Sequence, residues 1–182
     1  KFIRLNKMNK IFFSLIVLVT ISNGFAQTNS ELQKMADADQ SERMSGNINW
    51  VELNKKDSIR LAKATQLFND GELETAQDYY NAGIIFQHGK DTIASKMAVE
   101  SFKKAIEILP NFANAHYNLG VTFKELGELQ KAISCYQKVI QINPNDINAL
   151  NNLGIELKGL GDYQKAIICY EKVIKINPNY GA

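Results

Sequence analysis

At 182 residues, with 45% apolar and 22% charged side chains, the chain carries enough apolar content for one modest domain or a short solenoid and too much for a disordered polymer. Its formal charge is only +2 and no basic stretch is clustered, which excludes the phosphate-neutralising surface that a nucleic-acid partner requires. Three prolines and eleven glycines punctuate it at regular places, the mark of long helices separated by defined turns.

The first methionine is Met8, so residues 1–7 read as an extension ahead of the start. After it come Lys10, a largely apolar run from Ile11 to Ile21, and Gly24-Phe25-Ala26 before Gln27, with small residues three and one before the break. This predicts a secretory signal peptide over residues 8–26, and an exported, periplasmic or cell-envelope protein. The run is shorter than the ~20 residues of a spanning helix, so an uncleaved anchor is the alternative and no other membrane contact is expected. Without residues 1–26 the balance becomes 17 basic against 19 acidic side chains.

Residues 27–57 are polar and weakly patterned and are expected to be largely unstructured, with a helix from Glu31 to Arg43. Residues 58–112 are expected to be helical. Leu61, Ala64, Leu67 and Phe68 share one side of a helix over Ile59–Phe68, closed by Asn69-Asp70-Gly71.

Beyond residue 112 the sequence is periodic. Pro110, Pro144 and Pro178 stand 34 residues apart, and residues 113–146 align with 147–180 without a gap. Leu119-Gly120 matches Leu153-Gly154, Gly127 matches Gly161, Ala132-Ile133 matches Ala166-Ile167, and Cys135-Tyr136 matches Cys169-Tyr170. Each unit predicts two antiparallel helices. The first buries Leu119, Phe123 and Leu126, or Leu150, Leu153, Leu157 and Leu160. It ends at a glycine suited to the left-handed region. The second carries Leu129, Ala132, Ile133, Tyr136, Val139 and Ile140 and stops before Asn-Pro. Ala98, Phe102, Ala105 and Pro110 place the second helix of a third unit over residues 79–112. Its first helix is irregular, with Phe86 where glycine is expected and Gln87-His88-Gly89 ending it early.

Residues 113–180 resemble the tetratricopeptide repeat, with its Leu-Gly, Ala and terminal Pro at the family's spacing. The resemblance implies an all-α fold, a right-handed superhelix of antiparallel helix pairs, and a protein or peptide partner held without a cofactor or metal. Residues 37–107 carry a second likeness. Asp39-Gln40-Ser41-Glu42-Arg43 followed by Asp78-Tyr79-Tyr80 and Ile85-Phe86-Gln87-His88-Gly89 is similar to a bacterial family known as a domain of unknown function, which supplies no activity.

In such an array the groove is lined by the polar residues of the first helices, here Asn114, Tyr117, Asn118, Val121 and Lys124, then Asn148, Asn151, Asn152, Ile155 and Lys158. Amide side chains at that spacing can bond an extended main chain without reading its sequence. The alternative is that they only solvate the face. A clamp for a partner's terminal carboxylate would need lysine at Tyr117 or Asn151 and asparagine at Val121 or Ile155, so that clamp is absent. Cys135 and Cys169 lie at equivalent places on successive helices, too far apart for a disulfide, and are expected as free, part-buried thiols. The competing functional reading is an enzyme centred on Asp78, Gln87 and His88. Against it, His88 suits a helix-closing role beside the last carbonyls, and His116 suits a helix start. The last unit lacks a polar cap, so Tyr163, Ile167, Tyr170 and Ile174 are expected to be partly uncovered and to drive self-association.

Overall fold

The computed structural model describes residues 27–89 and 91–180, so the expected signal peptide over 8–26 lies outside the described residues. Eight helices occupy the described residues: α1 Ser30–Met44, α2 Trp50–Asn69, α3 Ala76–Gln87, α4 Thr92–Ile108, α5 Ala113–Glu125, α6 Leu129–Ile142, α7 Ile147–Gly159 and α8 Tyr163–Ile176. They pack as four sequential antiparallel pairs, each helix resting on its neighbours in the chain. None is long and apolar enough to cross a membrane.

Local chemistry sets the boundaries. Asn29, Asn49, Thr75, Asp91, Asp146 and Asp162 each accept a main-chain N–H of the first turn that follows, satisfying donors a helix start leaves free. Three helix ends close in the same way. Gly71, Gly127 and Gly161 take φ values of 71°, 75° and 82°. The N–H groups on either side of the turn fold back, Glu128 N to Phe123 O at 2.8 Å and Gly127 N to Lys124 O at 3.0 Å, with the same pair of bonds at Gly71 and Gly161. Helices α4, α6 and α8 stop two residues before Pro110, Pro144 and Pro178, because proline keeps the residue ahead of it out of helical geometry.

The second helix of a pair presses an aromatic ring onto a glycine of the first. A Cβ added at Gly120 would lie 2.7 Å from the Tyr136 ring, at Gly154 2.6 Å from Tyr170, and at Gly83 2.5 Å from Phe102. This corrects the register of the third unit. Its glycine is Gly83, not a residue lost at position 86. The glycine-to-ring spacing is nineteen residues there and sixteen in the later units, because α4 has 17 residues where α6 has 14. Phe86 is instead fully buried, edge-on to Phe68 of α2 at 5.9 Å.

Two further expectations change. Residues 27–57 are not largely unstructured, since α1 runs over Ser30–Met44 and α2 begins at Trp50, nine residues before the expected Ile59. The helix expected over Glu31–Arg43 is present as α1, and what the weak apolar pattern missed is the first part of α2. Leu126 and Leu160 do not belong to the buried stripe. They are the C-cap residues of α5 and α7, 36% and 45% exposed, where the turn carries them off the apolar face.

Candidate functional site

The first helices α1, α3, α5 and α7 are joined side to side by a row of hydrogen bonds. Asn118 Nδ2 donates to the Tyr80 hydroxyl at 3.2 Å, and Asn152 Nδ2 donates to the Tyr117 hydroxyl at 2.9 Å. With the corrected register Tyr80 is the counterpart of Tyr117, and Asn81 is the counterpart of Asn118 and Asn152. Asn81 Nδ2 donates to Gln33 Oε1 of α1 at 2.8 Å. One ladder therefore runs through all four pairs, and α1–α2 is the first pair in the same register. Burial pushes the Tyr80 and Tyr117 phenols up from their ordinary value, and the asparagine bond opposes this only in part, so both hydroxyls stay neutral.

The sequence expectation named the asparagines and Tyr117 but not Tyr80, and not the bonds that join amide to phenol. Asn118 has both amide hydrogens engaged, the second by Asn114 O at 3.1 Å. What Asn118 offers to a ligand is its Oδ1 acceptor. Asn114, Asn148, Lys124 and Lys158 are exposed, while Tyr117, Asn118, Asn151 and Asn152 are half-buried. Lys124 Nζ reaches across to Glu156 Oε1 of α7 at 3.6 Å, and Glu156 is buried. Replacing Tyr117 by phenylalanine is expected to lower stability by about 1 kcal/mol, because the Asn152 amide then loses a part-buried partner. Urea unfolding of the variant measures this directly.

A second cluster lies between α1, α2 and α3. Asp39, 1% exposed, receives His88 Nδ1 at 2.6 Å, Arg43 Nε at 3.2 Å and Arg60 Nη1 at 3.4 Å. Arg43 and Arg60 also reach Asp57 at 2.7 and 3.3 Å, and Arg60 reaches Glu42 at 2.6 Å. Burial by itself would raise the Asp39 pKa. The hydrogen bond from His88 and the charges of His88, Arg43 and Arg60 override it and hold the carboxyl below the usual carboxylate range. A depressed folded-state pKa stabilises the fold above the unfolded-state value near 3.8, and this stability is lost as pH falls towards the folded value. Thermal melts from pH 6 downward are therefore expected to show the wild type losing its advantage over Asp39→Asn only below about pH 4.

The centre expected at Asp78, Gln87 and His88 is not assembled. Asp78 sits in the first turn of α3, where its side chain and that of Thr75 form a capping box and its Oδ1 accepts Asn29 N at 2.6 Å. His88 closes the other end of the same helix, about 15 Å away along the axis. The signal that could have located its partner was the Asp39-Gln40 pair, legible in the sequence without its spatial neighbour. His116 Nε2 donates to Pro110 O, 3.0 Å away, as a helix-start residue. Cys135 and Cys169 are free and buried, and burial pushes the Cys135 thiol up to about 11.

A family model for the tetratricopeptide repeat matches residues 113–146 and 147–180, and a second repeat model matches 96–127. No curated protein matches the chain. Among solved structures, the chain is similar to MamA, with a TM-score of 0.63, 20% identity, and coverage of 82% of this chain and 80% of that one. It is similar to YrrB, described as a TPR protein with an unusual peptide-binding site, with a TM-score of 0.61, 20% identity, and coverage of 70% and 63%. A third is the second TPR of Spaghetti (RPAP3) bound to the HSP90 peptide SRMEEVD, with a TM-score of 0.52, 18% identity, and coverage of 57% and 94%. At these identities the likeness establishes the fold. Together with the 34-residue period, the ring-on-glycine contacts and the family models, it identifies residues 96–180 as a run of tetratricopeptide repeats.

Proposed function

We propose that the chain docks a polypeptide partner, an extended peptide or a helix of another protein, across the face formed by α5 and α7. The observation that carries this reading is a row of side chains repeated one unit apart. Tyr117, Asn118, Val121 and Lys124 on α5 are matched by Asn151, Asn152, Ile155 and Lys158 on α7, and Ile155 stands 42% exposed in the middle of it. Asparagine Oδ1 acceptors suit main-chain N–H groups, Val121 and Ile155 suit an apolar anchor, and the lysines suit an acidic flank. The peptide-binding described for YrrB and for the Spaghetti repeat supports this use of the fold. Because Tyr117, Asn151, Val121 and Ile155 stand where a carboxylate clamp would need lysine and asparagine, the ligand is held along its length instead of by its C-terminus.

The test is a peptide selected from a displayed random library against the protein, measured with Val121→Arg and Ile155→Arg. Weakening by about tenfold or more at either position is expected of an anchor site. Full retention of affinity in both variants, with a binding footprint elsewhere, overturns the reading.

The rival enzyme reading loses the centre on which it stood, since Asp78 and His88 occupy opposite ends of α3. For location, the signal-peptide pattern over residues 8–26 supports export to the periplasm or envelope. Mass analysis of the protein recovered from cells is expected to find Gln27 as the first residue, and an intact leader in a cytoplasmic fraction overturns it.

The last pair also presents a surface for self-association. Ile133 of α6 is 6% exposed beneath α7, whereas its counterpart Ile167 on α8 is 48% exposed, with Tyr163 and Ile174 beside it at 62% and 57%. Sedimentation is expected to show a reversible dimer that Ile167→Lys abolishes. A strict monomer at high concentration contradicts it.

A further inference from the structure

On the side of the second helices, α4, α5 and α6 leave a hollow of about 400 Å³ between them. That volume lies within the range of roughly 300–1,000 Å³ usual for small-ligand sites. The floor is apolar: Ile106 is half-buried, and Leu119 and Cys135 are 5% and 9% exposed. Lys103 of α4 and Lys138 of α6 line it from opposite helices, and neither forms an ion pair among the described residues. Glu107, the carboxylate of the lining, is taken by Lys104 at 3.2 Å. Lys103 Nζ stands 6.0 Å from the centre of the Phe123 ring, at the outer limit of a cation–π contact. Burial raises the Cys135 pKa and the Lys103 charge opposes the rise, so that ammonium lies close to the floor of the hollow.

The neighbouring interval of the stack, between α6 and α8, separates what the repeat requires here from what it does not. One 34-residue unit on, Gln137 stands for Lys103, Leu150 for His116 and Ile168 for Ser134, while Lys172 keeps the lysine of position 138. Leu150 is 1% exposed, so a buried leucine packs where His116 borders the hollow. The same helix arrangement is therefore made without the Lys103 charge, the imidazole or the Ser134 hydroxyl. What those three substitutions add between α4 and α6 is room and a second positive charge.

We propose that this hollow binds a small amphipathic carboxylate, its anionic head between the Lys103 and Lys138 ammonium groups and a short aliphatic tail on Ile106, Leu119 and Cys135. Two like charges over a low-dielectric floor concentrate the opposite ion. Each methylene of the tail that leaves water for the apolar floor adds to the affinity. An inorganic anion satisfies the lysines and leaves the floor bare, and a neutral alcohol does the reverse. The site is independent of the groove, since His116 lies two residues and about 200° of helix turn from Asn118 on α5.

Sodium octanoate is the probe, titrated into the whole protein by calorimetry in low-salt buffer, where the lysine charges are least screened, and by imidazole NMR. Saturable binding is expected, with the His116 ring resonances shifting and those of His88 unmoved. Lys103→Gln with Lys138→Gln is expected to weaken it about tenfold or more, and 1-octanol and inorganic phosphate are expected to fall behind octanoate by a similar factor. Ser134→Ile with His116→Leu installs the side chains of the α6–α8 interval, narrows the hollow and is expected to give the same loss with both lysines in place. Should that variant fold poorly by circular dichroism, Ser134→Ile alone carries this arm. Asn118→Ala with Asn152→Ala is expected to bind octanoate as the wild type does, so loss of peptide binding and loss of carboxylate binding are separable. The proposal is overturned if octanoate does not saturate, if the lysine or the filled variants bind it unchanged, or if 1-octanol or phosphate binds as tightly.

Discussion

Replacing Asp39 by alanine is expected to lower the unfolding free energy by about 3–5 kcal/mol, the cost of removing one partner from a buried charge network. The carboxylate holds His88, Arg43 and Arg60 together, and Arg60 has almost no access to water when it is lost. Because α1 and α3 meet through Asp39–His88, Gln33–Asn81 and Asn29–Asp78, the change should first free α1–α2 from the stack. Urea titration followed by hydrogen exchange measures both effects. Protection should fall in α1 and α2 while α5 to α7 keep theirs. A loss below about 1 kcal/mol, the size of a surface pair, would mean that water reaches the cluster freely.

The second large effect concerns the ring-on-glycine contacts. Gly83→Ala places a methyl 2.5 Å from the Phe102 ring, which is fully buried and cannot step aside. Gly154→Ala makes a contact of 2.6 Å with Tyr170, but that ring is half-buried on α8, the last of the described helices, and can yield more readily. Overpacking costs of about 1–3 kcal/mol are usual, so Gly83→Ala belongs at or above the upper end and Gly154→Ala near the lower. Melting temperatures of the two variants compare them directly. Equal losses would mean that α8 is as firmly enclosed as α4. The comparison also tests the register, since a substitution at Phe86 should behave as loss of a core aromatic and not as relief of a crowded position.

Both effects locate what the sequence could and could not reveal. The two full repeats were legible because every constraint on them is local or periodic. A proline stops a helix within its own neighbourhood, a left-handed turn selects Gly127 and Gly161, and an apolar face recurs at helical spacing in Leu119, Phe123, Leu153 and Leu157. The side-chain row on α5 and α7 to which the partner is proposed to bind repeats with the same period. The third unit was misregistered because three extra residues in α4 do not change which residue types are present, only how far Gly83 stands from Phe102.

The amino-acid sequence by itself determined an all-α repeat, its 34-residue unit, the glycine turns and the free cysteines, since these depend on spacing along the chain and on the chemistry of single residues. The tertiary structure decided that α1 and α2 join the same superhelix, that Asn118 and Asn152 bond to Tyr80 and Tyr117, and that His88 pairs with Asp39 instead of standing with Asp78. The reason is physical. Those bonds join residues 35 to 49 positions apart. Which polar groups meet across such a distance is set by how the helices stack, and helix stacking is governed by apolar burial and close approach at glycine. The polar pattern of a single segment does not encode it.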